Sequence, residues 1–155
     1  MCFSRRRLLC GVVFLLLFGG SGDVFAAERI PARVWRGVRV YDMQELKKAD
    51  PPMRQFVGVR FNYRRAKIRH LKPNWHQGSI WRYQRGARDD FDFIQVMVST
   101  ADLPAFQAFP STLQTAGEFT VYGQILKEVG SNFVFLRLVG TKVLKDKEGN
   151  VVVSW

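Results

Sequence analysis

The sequence predicts a mostly β chain: five strands closing into a small barrel, with a short helix before them and a short helical connection between the third and fourth. Three observations predict it. Apolar residues alternate with polar ones through Phe56 to Tyr63, Ser79 to Arg85, Phe91 to Ser99 and Phe119 to Lys127, the two-residue period of half-buried strands. Turn-forming clusters separate these runs at 86–90, at Gly130-Ser131 and at Glu148-Gly149-Asn150. Closing five strands also removes the exposed sheet edges that a domain of this size would otherwise present.

In chain order, Arg5-Arg6-Arg7 is a positive n-region, Leu8 to Phe18 an apolar h-region, and Val24-Phe25-Ala26 a small-residue cleavage site. Residues 1–26 are therefore expected to be a secretory signal peptide and the protein to be exported, with the periplasm or cell envelope of a bacterium as its destination. Ser4-Arg5-Arg6-Arg7-Leu8-Leu9 also resembles a twin-arginine signal, so the export route stays open. Cys2 and Cys10 would leave with the leader, and with them any disulfide, thiol nucleophile or cysteine-bound zinc. The leader also carries three arginines and one aspartate, so the net charge of +11 falls to +9 and no transmembrane span is expected to remain.

Residues 27–54 are expected to form an N-terminal extension, and 55–155 the barrel with a C-terminal hairpin. Val34 to Tyr41 predicts an extended segment. Asp42-Met43-Gln44-Glu45 is a capping box for a helix through Lys48, stopped by Asp50-Pro51-Pro52. One long strand is expected from Phe56 to His70, with its register slipping at Arg64-Arg65 as at a β-bulge. Ser79–Arg85 and Phe91–Ser99 form a hairpin, Thr100–Ala116 the helical connection broken by Pro104 and Pro110, and Phe119–Lys127 with Asn132–Leu144 a second hairpin. Val151–Ser154 is the last strand.

Charge is the functional signal. Between Arg54 and Arg88 lie ten lysines and arginines, six aromatics and no aspartate or glutamate, whereas 101–155 balances five cations against five carboxylates. A basic surface threaded with rings attracts polyanions and offers faces for stacking. The competing structural readings are that the cations merely guard an exposed strand and that residues 29–41 cover the aromatics.

Glu45-Leu46 leading to Asp50-Pro51, the strand Phe56-Val57-Gly58-Val59-Arg60-Phe61, and Gly117-Glu118-Phe119-Thr120-Val121-Tyr122-Gly123-Gln124-Ile125 together resemble the oligonucleotide/oligosaccharide-binding (OB) fold of small exported bacterial domains. The likeness spans about residues 42 to 145, and 71–78 departs from it. It implies a five-stranded OB-like Greek-key barrel with its ligand face across strands two and three. The expected ligand residues are Arg60, Arg64, Arg65, Arg69, Lys72, Arg82, Arg85 and Arg88 for charge, and Trp75, Trp81 and Tyr83 for stacking. If Ile94, Val96 and Val98 point inward, Phe91, Phe93, Gln95 and Met97 point outward beside them.

The expected partner is an anionic polymer or surface: an acidic glycan, lipid headgroups or nucleic acid. An alternative is an envelope scaffold whose basic face docks an acidic protein. Catalysis is not expected. His70 and His76 do not have metal-ligand spacing, and no phosphate loop, dinucleotide fingerprint or nucleophile elbow occurs, so no cofactor or metal is implied. Asp89, Asp90 and Asp92 leave a metal-dependent nuclease as a further alternative, although a DGDT-like segment is lacking.

Overall fold

The computed structural model describes residues 27–84, 90–113, 117–127 and 134–155. The expected leader, Arg85, Arg88 and Asp89 lie outside them. Among the described residues the chain is mostly β, with three short helices: α1 (Ala32–Trp35), α2 (Met43–Ala49) and α3 (Leu103–Gln107). No helix among these residues is long and apolar enough to cross a membrane.

The larger sheet has eight strands. In chain order these are β2 (Val40–Tyr41), β3 (Phe56–Phe61), β4 (Tyr63–Arg64), β5 (Arg69–Lys72), β6 (Trp75–Gln84), β7 (Asp90–Ser99), β8 (Phe119–Lys127) and β9 (Val134–Gly140). They are hydrogen-bonded in the order β2-β3-β8-β9-β7-β6-β4, with β5 pairing on β6. β2 with β3 and β7 with β9 are parallel, and the other pairs are antiparallel. A smaller sheet of β1 (Glu28–Ile30), β11 (Val151–Ser154) and β10 (Lys142–Lys145) lies beside it.

Alternation along these strands builds the core. Val57, Val59 and Phe61 of β3, Ile80 of β6, Ile94, Val96 and Val98 of β7, and Val121 and Ile125 of β8 are all essentially fully buried on one face. Each such side chain contributes roughly 1.5–3 kcal/mol of burial free energy before conformational entropy is set against it. The capping box forms as the sequence predicts: the Asp42 and Glu45 side chains close it, and α2 ends at Ala49 with Asp50 left-handed at the C-cap. Met43 and Leu46 of that helix are completely buried against the sheet cluster. In α3, Phe106 is likewise buried, and Phe109 packs edge-on against Phe61 at 5.0 Å.

Three expectations are corrected. First, the closed five-stranded barrel is not formed as a continuous ladder, and the long strand 56–70 is broken. β3 pairs with β8 through Phe61, but at Asn62 the chain changes partner and β4 pairs with β6 over two residues only. Asn62 ties the two margins: its N–H donates to the Trp81 carbonyl (2.8 Å), its amide donates to the Gly117 carbonyl (2.8 Å), and its side-chain oxygen accepts from the Tyr83 N–H (2.9 Å). Second, Val34–Tyr41 is not a strand. One turn of helix carries Trp35 onto Tyr122 (5.3 Å between ring centroids), and only Val40–Tyr41 extend along β3. Third, the strand expected from Ser79 begins earlier: β6 starts at Trp75 and forms a hairpin with β5 across a turn in which Asn74 has φ of 69°.

The N-terminal segment finds its apolar partners away from β6 and β7. Trp35, Phe56 and Tyr122 pack on Ile30, Val139, Val151 and Val153. Val40 lies so close over Gly58 that a Cβ added there would be 2.8 Å from its Cγ2, which explains a glycine in mid-strand. The outer face of β3 and β8 is therefore the covered one. Among the described residues the outer face of β6 and β7 is left open, apart from Lys47 over the Phe93 ring.

Candidate functional site

Directly opposite residues on β6 and β7 build one wall of a groove. Because Ile80 and Ile94 form an inward pair, the next pair, Trp81 and Phe93, faces outward. Their rings stack at 4.8 Å with planes 16° apart. Tyr63, opposite Trp81 across β4, continues the row at 6.3 Å and 28°. The Trp81 indole N–H donates to Ser79 Oγ (2.8 Å), fixing the ring along its strand.

The opposite wall is the chain between β4 and β5. The Arg65 N–H donates to the Ser79 carbonyl (3.0 Å), and Arg69 pairs in register with Gln77, so this stretch runs beside β6. Arg65, Lys67 and Arg69, at alternate positions, all line an open cleft of about 250 Å³. Gln77, Gly78, Ser79, Trp81, Phe93 and Gln95 complete it. The Gln77 side-chain amide donates to Oε1 of Gln95 across the two strands. Gly78 is required because the interior beneath it is filled: an added Cβ would lie 2.8 Å from Cε1 of Phe106.

The groove is electrostatically one-sided: among the described residues no carboxylate lines it and none of its three cations is ion-paired. The Arg65 guanidinium sits 4.4 Å over the Trp81 ring. Burial raises the Tyr63 hydroxyl above its ordinary pKa, while the Arg65 charge pulls it partly back.

The structure brings Arg65, Arg69 and Trp81 of the expected ligand residues together here. Tyr83 is half-buried further along β6, and its N–H is held by Asn62. Lys72 and Trp75 pair with each other at the far end of the β5–β6 hairpin, outside the groove lining. Arg64 turns away from it: Nε and Nη2 donate to the Gln107 carbonyl (3.3 and 2.8 Å), and burial lowers its pKa. That arginine clamps the strand to the helical connection.

Arg82 and Arg60 also need correction as groove residues. Alternation that turns Trp81 and Tyr83 outward turns Arg82 inward, opposite Asp92. There Arg82 Nε lies 3.0 Å from Asp42 Oδ1, Nη2 lies 3.6 Å from Glu118, and Lys47 pairs with Asp92 at 2.7 Å. Among the described residues Nε and Nη1 are buried without a hydrogen bond. These charges close one end of the core. Arg60 shares its face with Gly58, on the opposite side of β3 from the buried Val59 and Phe61, and so belongs with the N-terminal segment.

Lys67, Gln77, Ser79, Phe93 and Gln95 are groove residues not among the expected ligand set. The spacing of Arg65, Lys67 and Arg69 was the available signal, because alternate residues of an extended chain share a side. His70 and His76 meet across the hairpin with ring centroids 5.3 Å apart, and His76 Nε2 is 3.1 Å from Thr100 Oγ1. Among the described residues no group of three His, Cys, Asp or Glu side chains is placed to hold a metal ion.

No protein-family model matches the chain, and no curated protein matches it. It is similar to a solved structure from Klebsiella pneumoniae described as a "putative nucleic acid-binding lipoprotein", at 11% identity and a TM-score of 0.47, covering 70% of this chain and 94% of that one. A likeness of that strength assigns neither fold nor function to this chain.

Proposed function

We propose that the chain is an exported, non-enzymatic binding module that holds an anionic polymer in the groove between residues 65–69 and the outer face of β6 and β7. One observation carries the reading: Arg65, Lys67 and Arg69 line a single cleft with no carboxylate among its described lining residues. Three cations on one wall suit successive phosphates, sulfates or carboxylates of a polymer. Gln77, Ser79 and Gln95 supply neutral donors and acceptors for hydroxyls between the charges. Trp81 is engaged by Phe93 and Arg65, so its role is to seat the cation and shape the wall.

An OB-like arrangement is part of the same proposal. The order β3-β8-β9-β7-β6-β4, the parallel pairing of β7 with β9 and the helical connection from β7 to β8 support it, with β3 and β4 acting as two halves of one bent first strand. Residues 55–155 would then be the OB-like unit, 27–54 its extension and 1–26 the removed leader. Export favours an acidic envelope glycan or lipid headgroup over nucleic acid as the ligand. The ion pair of Asp92 with Lys47 withdraws one member of the acidic trio that a metal-dependent nuclease would use, which supports the non-enzymatic reading.

Retention on heparin and binding of single-stranded DNA over a salt series test the groove. Affinity should fall steeply as salt rises. For DNA, the triple variant Arg65→Gln, Lys67→Gln, Arg69→Gln should flatten the log–log salt slope by about 2, at roughly 0.7 per lost contact. A flat response in the unaltered protein, or an unchanged slope in the variant, overturns the reading.

A further inference from the structure

A second basic run lies outside the groove. Arg29, Arg33, Arg36 and Arg39 fall between Glu28 and Asp42 with no carboxylate among them. Arg29 is partly committed, because its charge helps hold the Asp146 carboxyl below the ordinary range. Arg33, Arg36 and Arg39 are exposed, and among the described residues none is ion-paired.

The fold separates this run from the groove. Trp35 packs on Tyr122 and Val40 on Gly58, so the segment rides on the outer face of β3 and β8. Arg60 is exposed on that same face of β3. The groove opens instead on the outer face of β6 and β7, which lies beyond β8, β9 and β7 along the ladder and meets β3 only at its end, through Asn62 and β4. The arm's arginines thus belong to the wall over β3 and β8 and the groove cations to the wall beside β6 and β7, the two meeting at Asn62.

We infer that Arg33, Arg36, Arg39 and Arg60 form a second polyanion-binding surface, and that the protein bridges two anionic polymer segments, one on each wall. The inference rests on the groove reading for its first site. Guanidinium forks match phosphate, sulfate and carboxylate oxygens in pairs. No neighbouring carboxylate among residues 29–41 neutralises their field.

The arm is also anchored before any ligand arrives. The Arg36 N–H donates to the Ala32 carbonyl (3.1 Å), the Val38 N–H to the Trp35 carbonyl (2.9 Å), and the Gly58 N–H to the Arg39 carbonyl (2.9 Å). Less backbone ordering is then left to be done on binding. With both walls active, a long polymer held in the groove presents its other segments to the arm at high effective concentration. Long chains should therefore bind on the order of 10²-fold or more tighter than short ones.

The test uses the purified protein at low salt with a single-stranded DNA oligonucleotide too short to reach both walls, and with long single-stranded DNA. Two short oligonucleotides should bind per chain. The arm variant Arg33→Gln, Arg36→Gln, Arg39→Gln and the groove variant Arg65→Gln, Lys67→Gln, Arg69→Gln should each bind one. Long DNA should form light-scattering complexes with the unaltered protein and with the arm's Arg→Lys variant, but with neither Gln variant. Unchanged melting temperatures establish that the exposed substitutions leave the fold intact. One oligonucleotide per chain, lost only in the groove variant, overturns bridging and leaves the groove reading standing. One oligonucleotide lost only in the arm variant overturns both, as does no binding at all.

Discussion

The guanidinium of Arg65 lies 4.4 Å from the centre of the Trp81 ring, so the groove's first cation and its aromatic wall form one unit. An exposed pair of this kind contributes about 0.5–1 kcal/mol, so Arg65→Gln should leave melting nearly unchanged. A polyanion that engages Arg65 must alter the environment of Trp81. Titration with heparin should therefore shift tryptophan emission, and Trp81→Phe should abolish that shift while keeping a ring against Phe93. A shift of full size in the Phe variant would remove Trp81 from the site.

Arg82 gives the opposite prediction. It belongs to the charge cluster of Asp42, Glu118, Asp92 and Lys47 at the end of the core. Arg82→Gln should lower unfolding free energy by about 2–3 kcal/mol, less than for a fully buried pair because its side chain remains 16% exposed. It should leave the salt slope of polyanion binding where it was. Denaturant melts paired with the salt series check both halves of this expectation.

Gly123 marks a register shift between β8 and β9, where a Cβ would sit 2.5 Å from the Arg137 carbonyl oxygen and 2.7 Å from Cγ of Leu136. Backbone cannot give way as a side-chain tip can. Gly123→Ala should therefore destabilise by about 3 kcal/mol, read by chemical denaturation. A Gly149→Ala control meets no atom within 4 Å, although its φ of 81° makes it a strained position as well.

Asp146 supplies a pH dependence. The side-chain hydrogen bond from Asn150, aided by the Asn150 and Glu148 N–H groups, holds its carboxyl below the ordinary carboxylate range. A depressed folded value means the stabilisation is complete above the unfolded pKa and is lost as pH falls through the folded one. The difference in melting temperature between the unaltered protein and Asp146→Ala should thus be largest near neutrality and shrink below about pH 4. A difference that grows with acid would contradict the assignment.

Some of this architecture was legible without coordinates because it is local. The capping box at Asp42 and Glu45 is written in four residues, and the inward set Ile94, Val96 and Val98 follows from alternation. Alternation also separates Arg82 from Trp81, so their joint place among the expected ligand residues was avoidable. The break at Asn62 was not legible in the same way. The register slip at Arg64-Arg65 signals a bend, but not that the chain changes partner from β8 to β6 at Asn62, because that exchange depends on strands distant in sequence. The same holds for Trp35, whose helical turn is docked on Tyr122.

The sequence by itself determined that the chain is mostly β and that its cations are concentrated rather than spread, since periodicity and charge density are properties of neighbouring residues. Only the tertiary structure decided which cations share a surface. Sheet pairing laid 65–69 beside β6 to make a groove and turned Arg82 into the core's end, while Arg60 went to the exposed face of β3 that it shares with Gly58. Strand parity and register assign each side chain its face, and register is settled by partners far along the chain.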